Sequence, residues 1–196
     1  MEESLKAFDK IDEDRKNALK HLSHFIQDEA RLHSIVNLNF ICTHNSRRSQ
    51  FAELAANIAA FYYGLNHIHS YSGGTEVTAL HHNALKAMRR LGCEIEISSV
   101  IDDNPRNTIH FSNSTSSIQF SKLYYEALKT DERFIAVMTC GEADSNCPIV
   151  VGATSRISLT YDDPKSSDGT DMASLIYDQR LFQILTEILY SFSLLS

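Results

Sequence analysis

Apolar residues in the first thirty positions fall at Leu5, Phe8, Ile11, Leu19, Leu22 and Ile26, separated by three, four or their multiples, with charges between them. That period predicts a helix over residues 3–33. Ser34 interrupts it, and "IVNLNFIC" is a short apolar run that predicts a strand ending at Cys42. From Ser49 to Tyr63 the helical period returns, with Phe51, Leu54, Ala55, Ile58 and Phe61 on one side and Gly64 as a stop. "HIHSYSG" predicts a second strand and "ALHHNALKAMRRLG" a helix ended by glycine. "RFIAVMTC" and "RISLTY" predict two further strands. "DMASLIYDQRLFQILTEILYSF" predicts a long apolar helix packed on the sheet, with Thr170 and Asp171 suited to its start by capping and the helix dipole. Between Val100 and Lys129 the rhythm fails. "IDDNPRN" and "FSNSTSSIQFSK" predict turns, two short strands and a mobile tip.

Strands alternating with helices predict an α/β fold with a central parallel four-stranded sheet flanked by crossover helices. We read residues 1–34 as an N-terminal helical extension, for packing or dimerisation, and 35–196 as one α/β domain with no linker. The 100–130 insertion is expected to act as a lid or substrate loop, with Lys122 a candidate anion contact.

Composition narrows the function classes. The chain is 43% hydrophobic and 22% charged, as in ordinary soluble proteins, and its net charge of -7 argues against nucleic-acid binding, which needs basic surface. No apolar run reaches membrane-spanning length, and "MEESLKAFDKIDEDRK" is unlike a signal peptide. The expected location is therefore cytoplasmic, where thiols are kept reduced. Four cysteines, Cys42, Cys93, Cys140 and Cys147, then point to catalytic, redox, metal-binding or buried roles rather than to staples. Cys93 reads as structural. The histidines at 67, 69, 81 and 82 have no neighbours that complete a metal-ligand set.

The chemistry concentrates in "NFICTHNSRRSQFAE", residues 39–53. A thiol at the carboxyl end of a strand is followed by a short polar loop that opens a helix. Helix N-termini attract anions, and a short loop wraps its amides around a tetrahedral oxyanion. The same field favours the thiolate form of Cys42. Arg48 is placed to grip two anion oxygens, Ser49 to donate a hydrogen bond to the thiolate, and Asn45 to tolerate a left-handed backbone. The oxyanion-binding set is thus Thr43, His44, Asn45, Ser46, Arg47 and Arg48. Farther on, Asp163 precedes a proline after the strand "RISLTY", a position from which a carboxylic acid can protonate a departing oxygen; Asp162 is a weaker claimant. In "VMTCGEADSNCPIV", Cys140 ends a strand and Cys147 follows a polar, flexible segment. That pair suits thiol–disulfide exchange, but also buried fillers or protection of Cys42 from over-oxidation.

These segments resemble the low-molecular-weight protein tyrosine phosphatases and the thioredoxin-coupled arsenate reductases that share their fold. The resemblance runs from the loop through "RRSQFAE", "SGGTE" and "ALKAMRRLG" to Pro164, and is nearest to the three-cysteine reductases. It implies Cys42 as nucleophile, Arg48 as anion clamp and Asp163 as general acid. It further implies a relay in which Cys140 attacks a Cys42–arsenate adduct, Cys147 attacks Cys140, and thioredoxin reduces the resulting disulfide. A potassium ion beside the loop, held by Asn45, Glu53 and Ser72, is also implied, with no cofactor required for chemistry. The chain departs from the family in carrying His44 where glycine is usual, and in having no aromatic after the acid–proline pair, which counts against a phosphotyrosine pocket. Two alternatives stay open. One is a phosphatase acting on phosphomonoesters through a cysteinyl-phosphate; the other is an oxyanion-binding or redox-sensing module without turnover.

Overall fold

The computed structural model describes residues 1–101, 103–129, 132–146 and 149–195, with the side chains of 98–101 outside the description. Cys147, expected to act in a thiol relay, therefore lies outside the described residues.

Four strands make a parallel sheet: β1 (Val36–Cys42), β2 (Ile68–Gly74), β6 (Phe134–Met138) and β7 (Ala153–Ser158), in the order β2-β1-β6-β7. The fold class is as expected, a single α/β domain. Alternation along the strands separates two apolar faces. Leu38 and Phe40 of β1, Ile135 and Val137 of β6 and Ile157 of β7 enter the main core. Phe134, Ala136 and Met138 enter a smaller one that also holds Ile41, Cys42 and Cys140. The main core is closed by α3 (Arg48–Tyr63), α4 (His82–Leu91) and α6 (Ala173–Ser193). α3 is alanine-rich and buried around most of its circumference, so the sheet and α6 approach it closely. It ends where Gly64 takes a left-handed conformation, φ 68°.

Several expectations need correction. The helix expected over 3–33 is three pieces: α1 (Glu2–Lys6), a 3-10 turn (Phe8–Lys10) and α2 (Glu13–Leu32). Ile11 and Asp12 adopt extended backbone, and the Asp12 carboxylate accepts from the Arg15 N–H, so a local cap starts α2 afresh. α2 packs on α6 and inserts Leu19, Leu22 and Ile26 into the main core. α6 begins at Ala173, with no side-chain cap; the Thr170 hydroxyl instead donates to the Ser167 carbonyl, upstream of the helix. The strand read in "RISLTY" is Ala153–Ser158, earlier by three residues. The segment "GEADSN", expected to be a flexible loop, is the short helix α5 (Gly141–Asn146).

The region read as turns, two short strands and a mobile tip holds more strand than expected. It forms a separate antiparallel sheet of β3 (Glu94–Ile101), β4 (Asn104–Ser112) and β5 (Thr115–Gln119). Its strands have little apolar alternation because polar Asn107 and Gln119 are buried while Ile97 and Ile118 are exposed. Ile109, fully buried in the main core, pins it to the body. No described helix is long and apolar enough to cross a membrane.

Candidate active site

β1 connects to β2 on one side and lies beside β6 on the other, so the loop after Cys42 opens at a topological switch point, at the carboxyl ends of the strands. Each loop carbonyl from Cys42 to Ser46 is taken by a donor outside the loop. Cys42 O accepts from Thr75 N, Thr43 O from Glu76 N, His44 O from the Thr78 and Ser121 hydroxyls, Asn45 O from Gln50 Nε2, and Ser46 O from His81 N. With the carbonyls engaged from outside, the loop's amides are the polar groups left for an anion. Asn45 has φ 46°, the left-handed conformation expected of it. Gly74 explains "SGGTE": a Cβ there would lie 2.7 Å from Thr43 O and 2.6 Å from Glu76 O, so only glycine lets β2 run this close to the loop.

Cys42 is buried, and its Sγ is 3.1 Å from the Ser49 hydroxyl, which in turn accepts from Asn45 Nδ2 at 2.8 Å. Since that amide donates to Ser49, the Ser49 proton is free to point at the sulfur, as the sequence reading required. Arg48 and Asp163 also meet. Arg48 Nη2 donates to Asp163 Oδ2 at 2.6 Å and Nη1 to the Tyr161 carbonyl at 3.0 Å. Cys42, His44, Ser46, Arg47, Arg48 and Asp163 line one small pocket. Cys42 and Arg48 therefore share one hollow with Asp163, more than a hundred residues away in sequence. Asp162 points elsewhere, pairing with Arg180 at 3.1 Å.

Two loop side chains of the expected anion-binding set, which line the hollow, also have partners outside it. The Arg47 guanidinium is turned to α6, donating from Nε to the Tyr177 hydroxyl at 2.6 Å and from Nη2 to Asp168 at 2.7 Å. Its charge is engaged by that cluster at the side of the hollow. Tyr177 donates to Asp168 Oδ1, and Asn83 Nδ2 donates to the same oxygen. Burial opposes ionisation of Asp168, yet the bonds from Tyr177 and Asn83 and the Arg47 charge outweigh it and hold the carboxyl below its ordinary range. His81 caps α4 by accepting from the Asn83 N–H; burial and then the Arg47 charge depress its pKa. Sequence reading missed Asp168 and Tyr177, because neither carries a local signal and only the fold brings α6 and the turn before it to Arg47. The other loop residue is His44, half exposed at the pocket edge with Nε2 3.5 Å from Glu76 Oε2.

Cys140 is wholly buried at the end of the segment following β6. Thr139 donates both its N–H and its hydroxyl to the Ile41 carbonyl, which sets Cys140 next to the start of the loop. The Cys140 Sγ lies 3.5 Å from the Thr43 hydroxyl and accepts from the Ala143 N–H, and Cys42 and Cys140 are both free thiols in one apolar cluster. Cys93 is buried far from this chemistry; burial pushes its thiol up to about 11.

The residues implied as potassium ligands also gather behind the loop. Glu53 is buried in α3 and accepts from the Ser72 hydroxyl at 2.5 Å, and Asn45 Oδ1 accepts from the Lys122 N–H at 3.0 Å. Among the described residues no group of three or more His, Cys, Asp or Glu is placed to hold a metal ion.

Comparison with known proteins agrees with this geometry. Residues 37–109 match the family described as low molecular weight phosphotyrosine protein phosphatase. An arsenate reductase of Bacillus subtilis (strain 168) is 32% identical over 142 residues, covering 72% of this chain and 84% of that protein. An arsenate reductase of Shouchella clausii is 30% identical over the same shares. Among solved structures, an arsenate reductase in a phosphate-binding state superposes with a TM-score of 0.52 at 19% identity, over 83% of this chain and all of that one. A low-molecular-weight phosphotyrosine phosphatase of Vibrio cholerae O395 superposes with 0.51 at 15%, over 79% of this chain and 93% of that one. Both solved structures share the fold.

Proposed function

The chain belongs to the superfamily of low-molecular-weight phosphotyrosine phosphatases and arsenate reductases, and we propose that within it this protein reduces arsenate to arsenite with thiol electrons. The observation that carries the reading is the second buried thiol. Cys140 touches Thr43 of the anion loop and shares an apolar cluster with Cys42. Hydrolysis needs one thiol; reduction needs another close by.

In this reading the arsenate enters the loop hollow, and its charge takes the Arg48 guanidinium from Asp163. Asp163, protonated, is then the acid. The Cys42 thiolate attacks arsenic, an S–As bond forms, and one oxygen leaves as water with the Asp163 proton. The Cys140 thiolate next attacks Cys42 Sγ. The S–S bond forms as the S–As bond breaks, its electron pair stays on arsenic, and arsenite departs reduced by two electrons. Cys147 attacks Cys140 Sγ and frees Cys42, and a dithiol reductant of the thioredoxin type reduces the Cys140–Cys147 disulfide. The six residues of α5 lie between that pair. A relay that starts from reduced thiols belongs in a reducing compartment such as the cytoplasm.

A second reading, hydrolysis of phosphomonoesters, is favoured by one feature. The hollow shares His44, Ser46 and Arg47 with a neighbouring groove of about 660 Å³ that also holds Thr78, His81 and Lys165, space for a leaving group larger than water. The deciding experiment is arsenate-dependent NADPH oxidation coupled through thioredoxin and thioredoxin reductase. Wild type is expected to turn over, and Cys140→Ser and Cys147→Ser to stop within one turnover. Full activity in both variants would sink the relay. Phenyl phosphate hydrolysis that survives both changes but not Cys42→Ser would establish the phosphatase instead.

A further inference from the structure

Two arginines follow one another in the anion loop, and each ends on a carboxylate. Arg48 Nη2 donates to Asp163 at 2.6 Å, and Arg47 Nη2 donates to Asp168 at 2.7 Å. Both arginines belong to the lining of the hollow that holds Cys42. The two pairs are held differently. Asp163 accepts from Arg48 and from the Lys165 N–H at 3.0 Å, so an incoming anion takes the guanidinium by breaking one ion pair. The Arg47 pair is closed into a ring by a third group, the wholly buried Tyr177. Its hydroxyl accepts from Arg47 Nε at 2.6 Å and donates to Asp168 Oδ1 at 2.7 Å. Asn83 Nδ2 donates to the same oxygen at 3.0 Å, and His81 Nε2 lies 3.6 Å from the other. To reach an anion, Arg47 Nη2 must leave a carboxylate that three further groups steady. Burial opposes the Arg47 charge; the Tyr177 hydroxyl, Asp168 and then Asp163, which lines the hollow, support it.

We propose that Arg47 is a second oxyanion clamp held under a mask, and that Asp168 is the mask that sets how tightly the hollow grips its anion. The proposal rests on the reading of the hollow as an oxyanion site. An oxyanion beside the Cys42 thiolate is a cluster of like charges that one guanidinium neutralises only in part. A second free guanidinium would hold substrate more tightly, and any competing oxyanion with it. Such uniform binding lowers KM without raising kcat, so the mask leaves the chemical step untouched. Asp168 is thus a positioning residue that acts through Arg47. Its amide variant separates the two roles of the carboxylate. In Asp168→Asn the amide oxygen still accepts from Tyr177 and Asn83 in place of Oδ1. The NH2 group then stands where Oδ2 accepted from Arg47, donor against donor, and Arg47 Nη2 is released towards the hollow.

The test is calorimetric binding of inorganic phosphate to the full chain, a readout that does not depend on which reaction the enzyme catalyses. Wild type, Asp168→Asn, Arg47→Met and the double variant are compared at one neutral pH and one ionic strength. Asp168→Asn is expected to bind phosphate about tenfold more tightly than wild type. That gain is expected to vanish in the Arg47→Met background, because the clamp it releases is gone. If Arg47→Met fails to fold, Arg47→Gln, which keeps a donor for Tyr177, takes its place. A purely structural role for Asp168 predicts weaker binding in Asp168→Asn, and a bare loss of negative charge predicts the same gain in both backgrounds. Either result, or an unchanged affinity in Asp168→Asn, would overturn the mask alone. Phosphate that binds neither wild type nor Asp168→Asn would overturn the oxyanion reading of the hollow, and the mask with it.

Discussion

His81 is where a single side chain couples the fold to pH. Its Nδ1 accepts from the Asn83 N–H at the start of α4, so the neutral tautomer with the proton on Nε2, facing Asp168 at 3.6 Å, serves the cap. Burial, with the Arg47 charge behind it, depresses its pKa below the ordinary value of 6.5. A depressed folded pKa means the unfolded chain takes up the proton first. The stabilisation is therefore complete above about pH 6.5 and is lost as the pH falls through the lower, folded value. Asp168 is depressed too, but its loss begins only below its ordinary 3.8, so the two windows are separate. In urea unfolding between about pH 7.5 and about pH 5.5, wild type is expected to lose more stability than His81→Asn, which keeps a capping oxygen and does not titrate. Equal losses would show that His81 is not the titrating group.

At the scale of elements, α2 and α6 are joined by polar bonds inside an apolar contact. The Ser23 hydroxyl meets the Ser191 hydroxyl at 2.9 Å with both side chains buried. Arg15 donates from Nε to Glu187 Oε2 at 2.7 Å, and its guanidinium lies 4.5 Å over the Tyr161 ring. Tyr161 is also the residue whose carbonyl receives Arg48, so the N-terminal helix steadies the segment after β7 that carries Asp163. The Glu187 side chain is 6% exposed, and removing its partner strands a buried charge. Arg15→Met is expected to cost about 3–5 kcal/mol in denaturant unfolding, and Arg15→Met/Glu187→Gln markedly less. A cost under about 1 kcal/mol for the single change would mean that the pair behaves like an exposed one.

For the whole molecule, the anion loop is shaped less by its own residues than by what surrounds it. Donors arrive from the residues after β2, from α3 and from the segment after β5, where Gln50 Nε2 also reaches the Phe120 carbonyl. The antiparallel sheet thus delivers the chain to the back of the loop. Gly74 lies at the tightest of these contacts, with backbone atoms where a Cβ would go. Gly74→Ala is expected to cost about 1–3 kcal/mol in stability. It is also expected to lower turnover by about 100-fold through displacement of the loop, with weaker phosphate binding by calorimetry. Unchanged phosphate affinity would show that β2 yields instead of the loop.

The sequence by itself determined what is local. Apolar period fixed the parallel strands and the crossover helices, since burial on a sheet face or helix face demands that spacing. Residue type and order marked Cys42, Arg48 and Ser49, because a thiol at a strand end before a helix start has few other uses. Asp163 was marked by a resemblance, and the fold then set it 2.6 Å from Arg48. Only the tertiary structure decided what depends on partners distant in the chain. The strands of 94–119 were legible only as two short ones, because polar Asn107 and Gln119 are buried there while Ile97 and Ile118 are exposed, against the usual alternation. "GEADSN" was misread because a helix of six residues has too few positions to display a period. The Arg47 side chain was free for the anion until α6 supplied Tyr177 and the turn before it supplied Asp168, and Lys122 was a candidate anion contact until the fold buried it outside the pocket around Cys42. A charged side chain's role is set by the nearest opposite charge, and that neighbour is chosen by the fold.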